Sequence, residues 1–310
     1  MRKNDDELRS VNSQEDMVFT PGGPRPRKKV HMLDVSQEHG SRGDGVVIPP
    51  GGPRQRASVH RVASGFSAAF SGLSKLRLRH VNAPGPPDAA NWITCAGWLN
   101  GTGKPITKFT TTWKVPPEPS TVASQLIYLF NGIEPADGQT IVQPVLQWGD
   151  SGPDDDGQDR TGQYWTAACW IVGGSDNSAT HTPHIRVNPG DVLIGVVTLV
   201  SESAAGFVYS CEFQGLAGAM FLTPSIPELV WCVETLEAYE LQGNHIPPYD
   251  LNALSEYPAS QSISFENINI ITDNPAPNGT WQVQNFVSQF GEHSSVIVDV
   301  SSNGEIVIFF

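Results

Sequence analysis

The stretch LIYLFNGIEPADGQTIVQPVLQWG, residues 126–149, indicates two neighbouring β-strands joined by a turn. In the first strand, apolar side chains fill both sets of alternating positions, which is typical of a strand buried on both faces. The middle, 131–138, is rich in Asn, Gly, Pro and Asp, which favour tight turns. The second strand carries Gln143 and Gln147 among apolar residues on a single face. Such glutamines are either solvated or held in a groove, and the sequence leaves both interpretations open.

The same kind of pattern recurs to the end of the chain. From about residue 90, strand-like runs alternate with turn residues, and helical periodicity is nearly absent. Many short strands at such spacing are typical of a sandwich or a barrel. We therefore predict an all-β fold in residues 91–310, preceded by a linker or short helix in residues 66–90.

The first 65 residues have a different composition. They are rich in Pro, Gly, Ser and charged residues and poor in aromatic residues, so they bury too little apolar surface to offset the entropy of ordering. Residues 1–80 contain 14 Lys and Arg against 8 Asp and Glu, a net charge of +6. Residues 81–310 contain 5 against 24, a net charge of −19. We predict a disordered basic arm in residues 1–65 and an acidic folded body.

Charge and hydropathy exclude several classes of protein. An acidic body repels nucleic acid and anionic membranes, so no nucleic-acid partner is expected. The chain has no apolar run near the length of a membrane-spanning helix. Its start, MRKNDDELRS, is too polar for a secretory signal peptide, which leaves open export by another route, an absent precursor start and an internal location.

Several blocks resemble the fungal glutamic peptidases, or eqolisins. Residues 145–149, VLQWG, resemble the segment that carries that family's catalytic glutamine, and residues 131–134 resemble its Gly-Ile-Asp turn. Residues 187–200 and 226–236 resemble two later strands, in the same order and at similar spacing. The resemblance covers most of residues 90–272. It implies an antiparallel, two-sheet, concanavalin-like sandwich with a groove across one sheet, and an extracellular location.

The resemblance also implies a catalytic pair. In this family a glutamate acts as general base on a water molecule and a glutamine helps to hold the oxyanion, without metal or cofactor. Gln147 matches the glutamine. Aligning on Trp231 puts Val230 at the position of the catalytic carboxylate. In a regular strand Glu228 and Glu234 would share the face of Val230, so both are candidates for the base.

Further side chains are expected to line the groove. The candidates for binding are Glu134, Trp148, Glu212 and Trp98. Since the base is missing from its expected position, we predict a groove that binds an extended polymer, a polypeptide or a polysaccharide, with weak or no proteolytic activity. One alternative is an active acid endopeptidase that uses Gln147 with a relocated glutamate. Another is a carbohydrate-binding or glycoside-hydrolase-like sandwich, since paired carboxylates also suit glycoside hydrolysis.

Two further groups of residues have side chains that can bind metals or react. The acidic run that includes Asp150, Asp154 and Asp159 lacks the spacing of an EF-hand, so we predict a solvated loop and no metal site. Four cysteines, at positions 95, 169, 211 and 232, all fall within predicted strands. They allow three disulfide pairings or four buried thiols, and the sequence leaves the choice open.

Overall fold

The structure is a computed structural model that describes residues 17–21, 23–26, 29–33, 92–152, 158, 160–173, 178–241, 251–273, 277–286 and 289–310. In chain order the strands are β1 (Met17–Thr20), β2 (Gly23–Pro26), β3 (Val30–Met32), β4 (Thr94–Leu99), β5 (Lys108–Lys114), β6 (Gln125–Pro135), β7 (Thr140–Gly149), β8 (Gly162–Gly173), β9 (Ser178–His181), β10 (Ile185–Arg186), β11 (Val192–Ser203), β12 (Gly206–Phe213), β13 (Met220–Leu222), β14 (Leu229–Glu240), β15 (Ser262–Ile271), β16 (Gln282–Asn285), β17 (His293–Val298) and β18 (Ser302–Phe309). Helical structure in these ranges is limited to the 3-10 turn Leu254–Glu256 and to Lys29, which also has 3-10 conformation. None of the described segments is an apolar helix of the length that spans a membrane.

Sixteen of the strands form two large sheets, and β1 and β2 pair with each other as a separate two-stranded sheet. A nine-stranded sheet has the order β16-β4-β14-β6-β7-β8-β9-β3, with β10 also paired to β8. A seven-stranded sheet has the order β13-β12-β11-β5-β15-β18-β17. Pairing is antiparallel throughout both sheets except between β3 and β9, which run parallel. The predicted all-β, two-sheet architecture is therefore confirmed.

A large apolar core holds the two sheets together. Its tryptophans are Trp98, Trp113, Trp148, Trp165 and Trp281. The Trp113 ring packs 5.7 Å from the Phe213 ring and 5.3 Å from the Phe265 ring, measured between centroids. Burying a large apolar side chain contributes about 1.5–3 kcal/mol to the free energy of folding, so these contacts fix the sheets face to face.

A second apolar cluster lies on the opposite side of the nine-stranded sheet, which we call the outer face. It includes side chains of β6, β7, β8 and β14, such as Tyr128, Val145, Trp170 and Tyr239. These residues alternate along each strand with those of the core between the sheets, as the pleat of a strand requires. The central strands β6, β7 and β14 are therefore buried on both faces.

The predicted arm contains an ordered edge strand. Val30, His31 and Met32 pair in parallel with Ala179, Thr180 and His181 of β9, and Val30 belongs to the outer-face cluster. The expectation that residues 1–65 lack packed structure is wrong for this segment. An edge strand can be as short as three residues when a neighbouring strand supplies the hydrogen bonds. Composition averaged over 65 residues does not detect a strand of that length. The predicted linker at 66–90 lies outside the described residues, and the domain boundaries stay predictions.

Candidate functional site

The alternation of β14 decides where each candidate carboxylate lies. Cys232 and Leu236 belong to the core between the sheets, whereas Val233 and Tyr239 belong to the outer-face cluster. The register with β6 shifts between Leu229 and Trp231, a bulge that ends the simple alternation at the start of the strand. From residue 232 onward even-numbered side chains therefore point to the core, and odd-numbered ones to the outer face.

A glutamate and a glutamine share one row of the outer face. Glu237 of β14 pairs with Tyr128 of β6, Tyr128 pairs with Gln147 of β7, and Gln147 pairs with Thr166 of β8. Cross-strand partners in register point to the same side of a sheet. Two strand spacings separate the Cα atoms of Glu237 and Gln147 by about 10 Å. Tyr128, the residue between them, projects its ring from the same face.

The orientation of the Gln147 amide is fixed by its neighbours. Its Nε2 donates to the Gly149 carbonyl at 3.0 Å and to Ser151 Oγ at 3.0 Å. A carbonyl only accepts hydrogen bonds, so the atom that faces Gly149 is the NH2 group. Gln147 Oε1 has no hydrogen-bond partner among the residues that the structure describes. Gln147 is 1% exposed, and it presents a buried acceptor on the outer face.

The Glu237 carboxyl is held by tyrosine. The Tyr239 hydroxyl donates to Glu237 Oε1, and the Tyr239 ring meets the Tyr128 ring edge-on at a centroid distance of 6.2 Å. Glu237 and both tyrosines are fully buried. The row is therefore built from side chains that restrain one another, and the carboxyl lies beside Tyr128, the residue that separates it from Gln147.

Other polar atoms of the outer face also lack partners within the described segments of the chain. They are both amide atoms of Gln143, the hydroxyls of Thr166 and Thr235, and the indole Nε1 atoms of Trp170 and Trp231. An unsatisfied buried donor or acceptor costs about 1–3 kcal/mol, and most buried polar atoms in native proteins have a partner. A row of such atoms is typical of a surface that is completed by a ligand or by water.

The outer face also carries a second acidic side chain. Glu134 of β6 pairs with Trp231 of β14 and is fully buried. Burial, and to a smaller extent the charge of Glu134, raises the pKa of the Cys95 thiol well above its ordinary value. Glu134 therefore lies on the same face as Gln147 and close to Cys95.

The structure separates the other predicted site residues from this row. Trp98 and Trp148 lie in the core between the sheets. Glu212 lies on β12 between Cys211 and Phe213, which point into the core, so its own side chain points away from the interface of the two sheets. The expectation that these three line a groove with Gln147 is wrong. Strands β4 and β7 are buried on both faces, so only the packing of the sheets decides which side Trp98 and Trp148 face.

Glu228 is also outside the row. It precedes the first residue of β14 and is half-buried. Burial chiefly, and the charge of Glu228 to a smaller extent, raises the pKa of Tyr209, a residue of the core between the sheets. The bulge that follows Glu228 breaks the regular alternation from which the sequence predicted a shared face with Glu234.

Glu234 lies between the two sheets and not on the outer face, so the expectation that it faces a groove with Gln147 is wrong. Its Oε1 accepts a 2.6 Å hydrogen bond from Thr111 Oγ1 of the opposite sheet. Its cross-strand partner is Asn131, whose Nδ2 donates to the Gly195 carbonyl at 3.4 Å. Burial raises the pKa of Glu234 well above its ordinary value, and the Thr111 hydrogen bond opposes this incompletely. Glu234 is thus a structural carboxyl whose neutral form is favoured by burial.

The raised pKa of Glu234 makes stability depend on pH. The folded protein keeps this proton while the unfolded chain releases it near its ordinary pKa, so stability is full below that value and falls as pH rises toward the folded pKa. The slope from one group is about 1.4 kcal/mol per pH unit. We expect Glu234→Gln, which keeps an acceptor for Thr111 and gains a donor, to flatten this fall in denaturant unfolding at a series of pH values. An unchanged slope in the variant would contradict the assignment.

No metal site is apparent in the described ranges, which contain no group of three His, Cys, Asp or Glu side chains placed to hold an ion. Most of the acidic run after Asp150 lies outside the described residues. Asp150 itself accepts hydrogen bonds from the Gly152 amide at 2.7 Å and from Thr161 Oγ1 at 3.3 Å. Ser151 Oγ in turn donates toward Thr161 Oγ1, so this turn supports the partner of Gln147.

Comparison with solved structures shows similarity to the family that the sequence motifs resemble. A scytalido-glutamic peptidase in complex with a peptide-based transition-state analogue aligns with a TM-score of 0.43 and 13% identity, over 71% of this chain and 99% of that one. An eqolisin bound to the tripeptide Ala-Ile-His aligns with a TM-score of 0.41 and 14% identity, over 71% and 98%. A κ-carrageenase from Zobellia galactanivorans aligns with a TM-score of 0.30 and 8% identity, over 52% and 68%.

Sequence comparisons add nothing to this similarity: no protein-family model and no curated protein matches the chain. At the identities and TM-scores of the structural matches, no ligand and no residue role passes from those proteins to this chain. The roles of Gln147 and Glu237 therefore depend on their own geometry.

Proposed function

We propose that the outer face of the nine-stranded sheet binds an extended polypeptide and that Gln147 and Glu237 form a pair that hydrolyses it. The observation that carries the proposal is the row Glu237–Tyr128–Gln147, in which a carboxyl shares a face with an amide oxygen that has no partner among the described residues. The sequence predicted weak proteolysis because it placed no base opposite Gln147. Glu237 supplies a candidate base that the sequence comparison missed.

The geometry supports a water-mediated reaction. When the outer face is open, Gln147 Oε1 can accept one hydrogen of a water molecule, and the Glu237 carboxylate can take the other proton as the water oxygen attacks the peptide carbonyl carbon. The proton then passes to the leaving amine, and the C–N bond breaks. Because Nε2 of Gln147 is bound to Gly149 and Ser151, its role here is to position water and not to hold the oxyanion.

Burial sets the expected rate. Gln147 and Glu237 are 1% and 0% exposed, so a substrate reaches them only when the outer face becomes accessible. A binding-competent state that is populated a small fraction of the time lowers apparent affinity by that fraction. We therefore expect slow proteolysis by the intact chain, as predicted from the sequence but for a different reason.

The test uses denatured casein as an extended polypeptide. We expect the intact chain to bind it and to release peptides slowly somewhere between about pH 2 and 7, since a carboxylate base needs no metal; chelator should leave the rate unchanged. Binding is measured by co-sedimentation with immobilised casein, and cleavage by mass spectrometry of the released peptides. Binding without cleavage would support the outer face as a binding surface and contradict the proposed hydrolysis. Neither binding nor cleavage would overturn it.

A polysaccharide ligand is the second candidate. Two indoles, Trp170 and Trp231, lie on the outer face with Nε1 donors that have no partner among the described residues, and aromatic rings with a polar edge suit contact with sugars. Soluble carrageenan or β-glucan should then compete with casein for the face. If these glycans bind and casein does not, the outer face is a carbohydrate-binding surface.

A further inference from the structure

The four cysteines are divided between the two sides of the nine-stranded sheet. Cys95 of β4 belongs to the outer-face cluster, whereas Cys169, Cys211 and Cys232 belong to the core between the sheets. All four are buried free thiols. Cys232 lies on β14, which β6 and β7 separate from β8, the strand of Cys169. Three strand spacings amount to about 14 Å, so Cys232 cannot pair with Cys169.

Cys169 and Cys211 approach each other across the sandwich. Cys169 lies on β8 of one sheet and Cys211 on β12 of the other, and both thiols lie in the core between the sheets. Cys169 Sγ also donates to the Ala219 carbonyl at 3.3 Å. That carbonyl accepts the Phe213 amide at 2.9 Å, two residues beyond Cys211 on the same face of β12. The shared Ala219 carbonyl therefore places Cys169 Sγ beside the end of β12.

We propose that Cys169 and Cys211 are the site of an inter-sheet disulfide, formed when the chain folds in the presence of a low-molecular-weight disulfide. Each thiol loses a proton, one S–S bond forms, and the two electrons reduce the added disulfide to two thiols. The nine-stranded sheet separates Cys95 from the other thiols, so Cys211 can bond across the sandwich only to Cys169 or Cys232, and the shared Ala219 carbonyl favours Cys169–Cys211. Its companion, Cys95–Cys232, would join opposite faces of one sheet and is excluded.

The site is protected once the protein has folded. Burial chiefly, and the neighbouring Cys169 to a smaller extent, raises the pKa of the Cys211 thiol well above its ordinary value. Since the thiolate is the reactive form, the folded pair reacts slowly with a disulfide reagent. The bond should therefore form during refolding, while the thiols are accessible, and much more slowly when the reagent is added to folded protein.

The experiment is to unfold the full chain and refold it with a mixture of oxidised and reduced glutathione, or with dithiothreitol alone. We expect peptide mapping by mass spectrometry to find a Cys169–Cys211 cross-link only in the first sample, and titratable thiols to fall from four to two. Bridging the 41 residues between these cysteines should raise Tm by roughly 5–10 °C. The double variant Cys95→Ala/Cys232→Ala keeps the pair and should show the same cross-link and the same rise.

Other outcomes overturn the proposal. Four titratable thiols after oxidative refolding, or cross-links that contain Cys95 or Cys232, would show that the pair is not the site. A Tm rise that persists in Cys211→Ser would show that the stabilisation has another origin. Because cross-linking is read directly from peptide masses, a loss of stability in Cys211→Ser cannot be mistaken for support.

Discussion

Replacing Glu237 by glutamine is expected to lower the rate of casein cleavage by a factor of about 10²–10⁴, the usual contribution of a general base. The substitution removes the proton acceptor but keeps an oxygen that can accept the Tyr239 hydrogen bond, so the fold should persist. Gln147→Ala should lower the rate as well, because the water then has no oxygen that orients it. The measurement is the initial rate of peptide release at the pH of highest activity, with near-ultraviolet circular dichroism as the check on folding.

Glu234→Gln is the matched control. It changes the same chemical group three residues earlier on the same strand, but its side chain faces Thr111 of the opposite sheet. Its cleavage rate should stay within about twofold of that of the unchanged chain, since a substitution away from the reacting groups has little effect on rate. If Glu234→Gln removes activity and Glu237→Gln keeps it, the assignment of the base to the outer face is wrong.

Replacing Gly195 by alanine is expected to destabilise the protein by about 3 kcal/mol, the upper end of the range for overpacking a core. A Cβ at this position of β11 would lie 2.1 Å from Asn131 Oδ1 and 2.8 Å from the Trp113 ring. Asn131 is tied to the Gly195 carbonyl and Trp113 is packed between two phenylalanine rings, so neither can move without loss of other contacts. Denaturant unfolding measures the change.

Gly101→Ala serves as the control for this substitution. Gly101 is exposed and a Cβ there meets no atom within 4 Å, so its free energy of unfolding should change by less than about 0.5 kcal/mol. If Gly195→Ala and Gly101→Ala have the same free energy of unfolding, the two sheets can move apart at Gly195 more easily than these contacts indicate. A large loss at Gly101 alone would contradict the account of both sites.

The sequence by itself determined the fold class. Alternating apolar residues, turn clusters and the near absence of helical periodicity can be satisfied only by many short strands, and the structure has two sheets of them. The stretch 126–149 forms β6 and β7, with bounds Gln125–Pro135 and Thr140–Gly149. Local spacing is enough here because the period of a strand is a property of the backbone and does not depend on its neighbours.

Which side of each strand points inward was decided only by the tertiary structure. Strand β14 carries apolar residues, with some polar ones, on both sides, so its sequence does not separate its two faces. A single bulge near Trp231 also changes which of the odd-numbered and even-numbered side chains point inward. Glu234 and Glu237, three residues apart, lie on opposite sides of the sheet by alternation, but their spacing does not show which of them faces inward. The physical reason is that a one-residue shift moves every side chain to the other face, and only the packing of the second sheet on β14 selects between them.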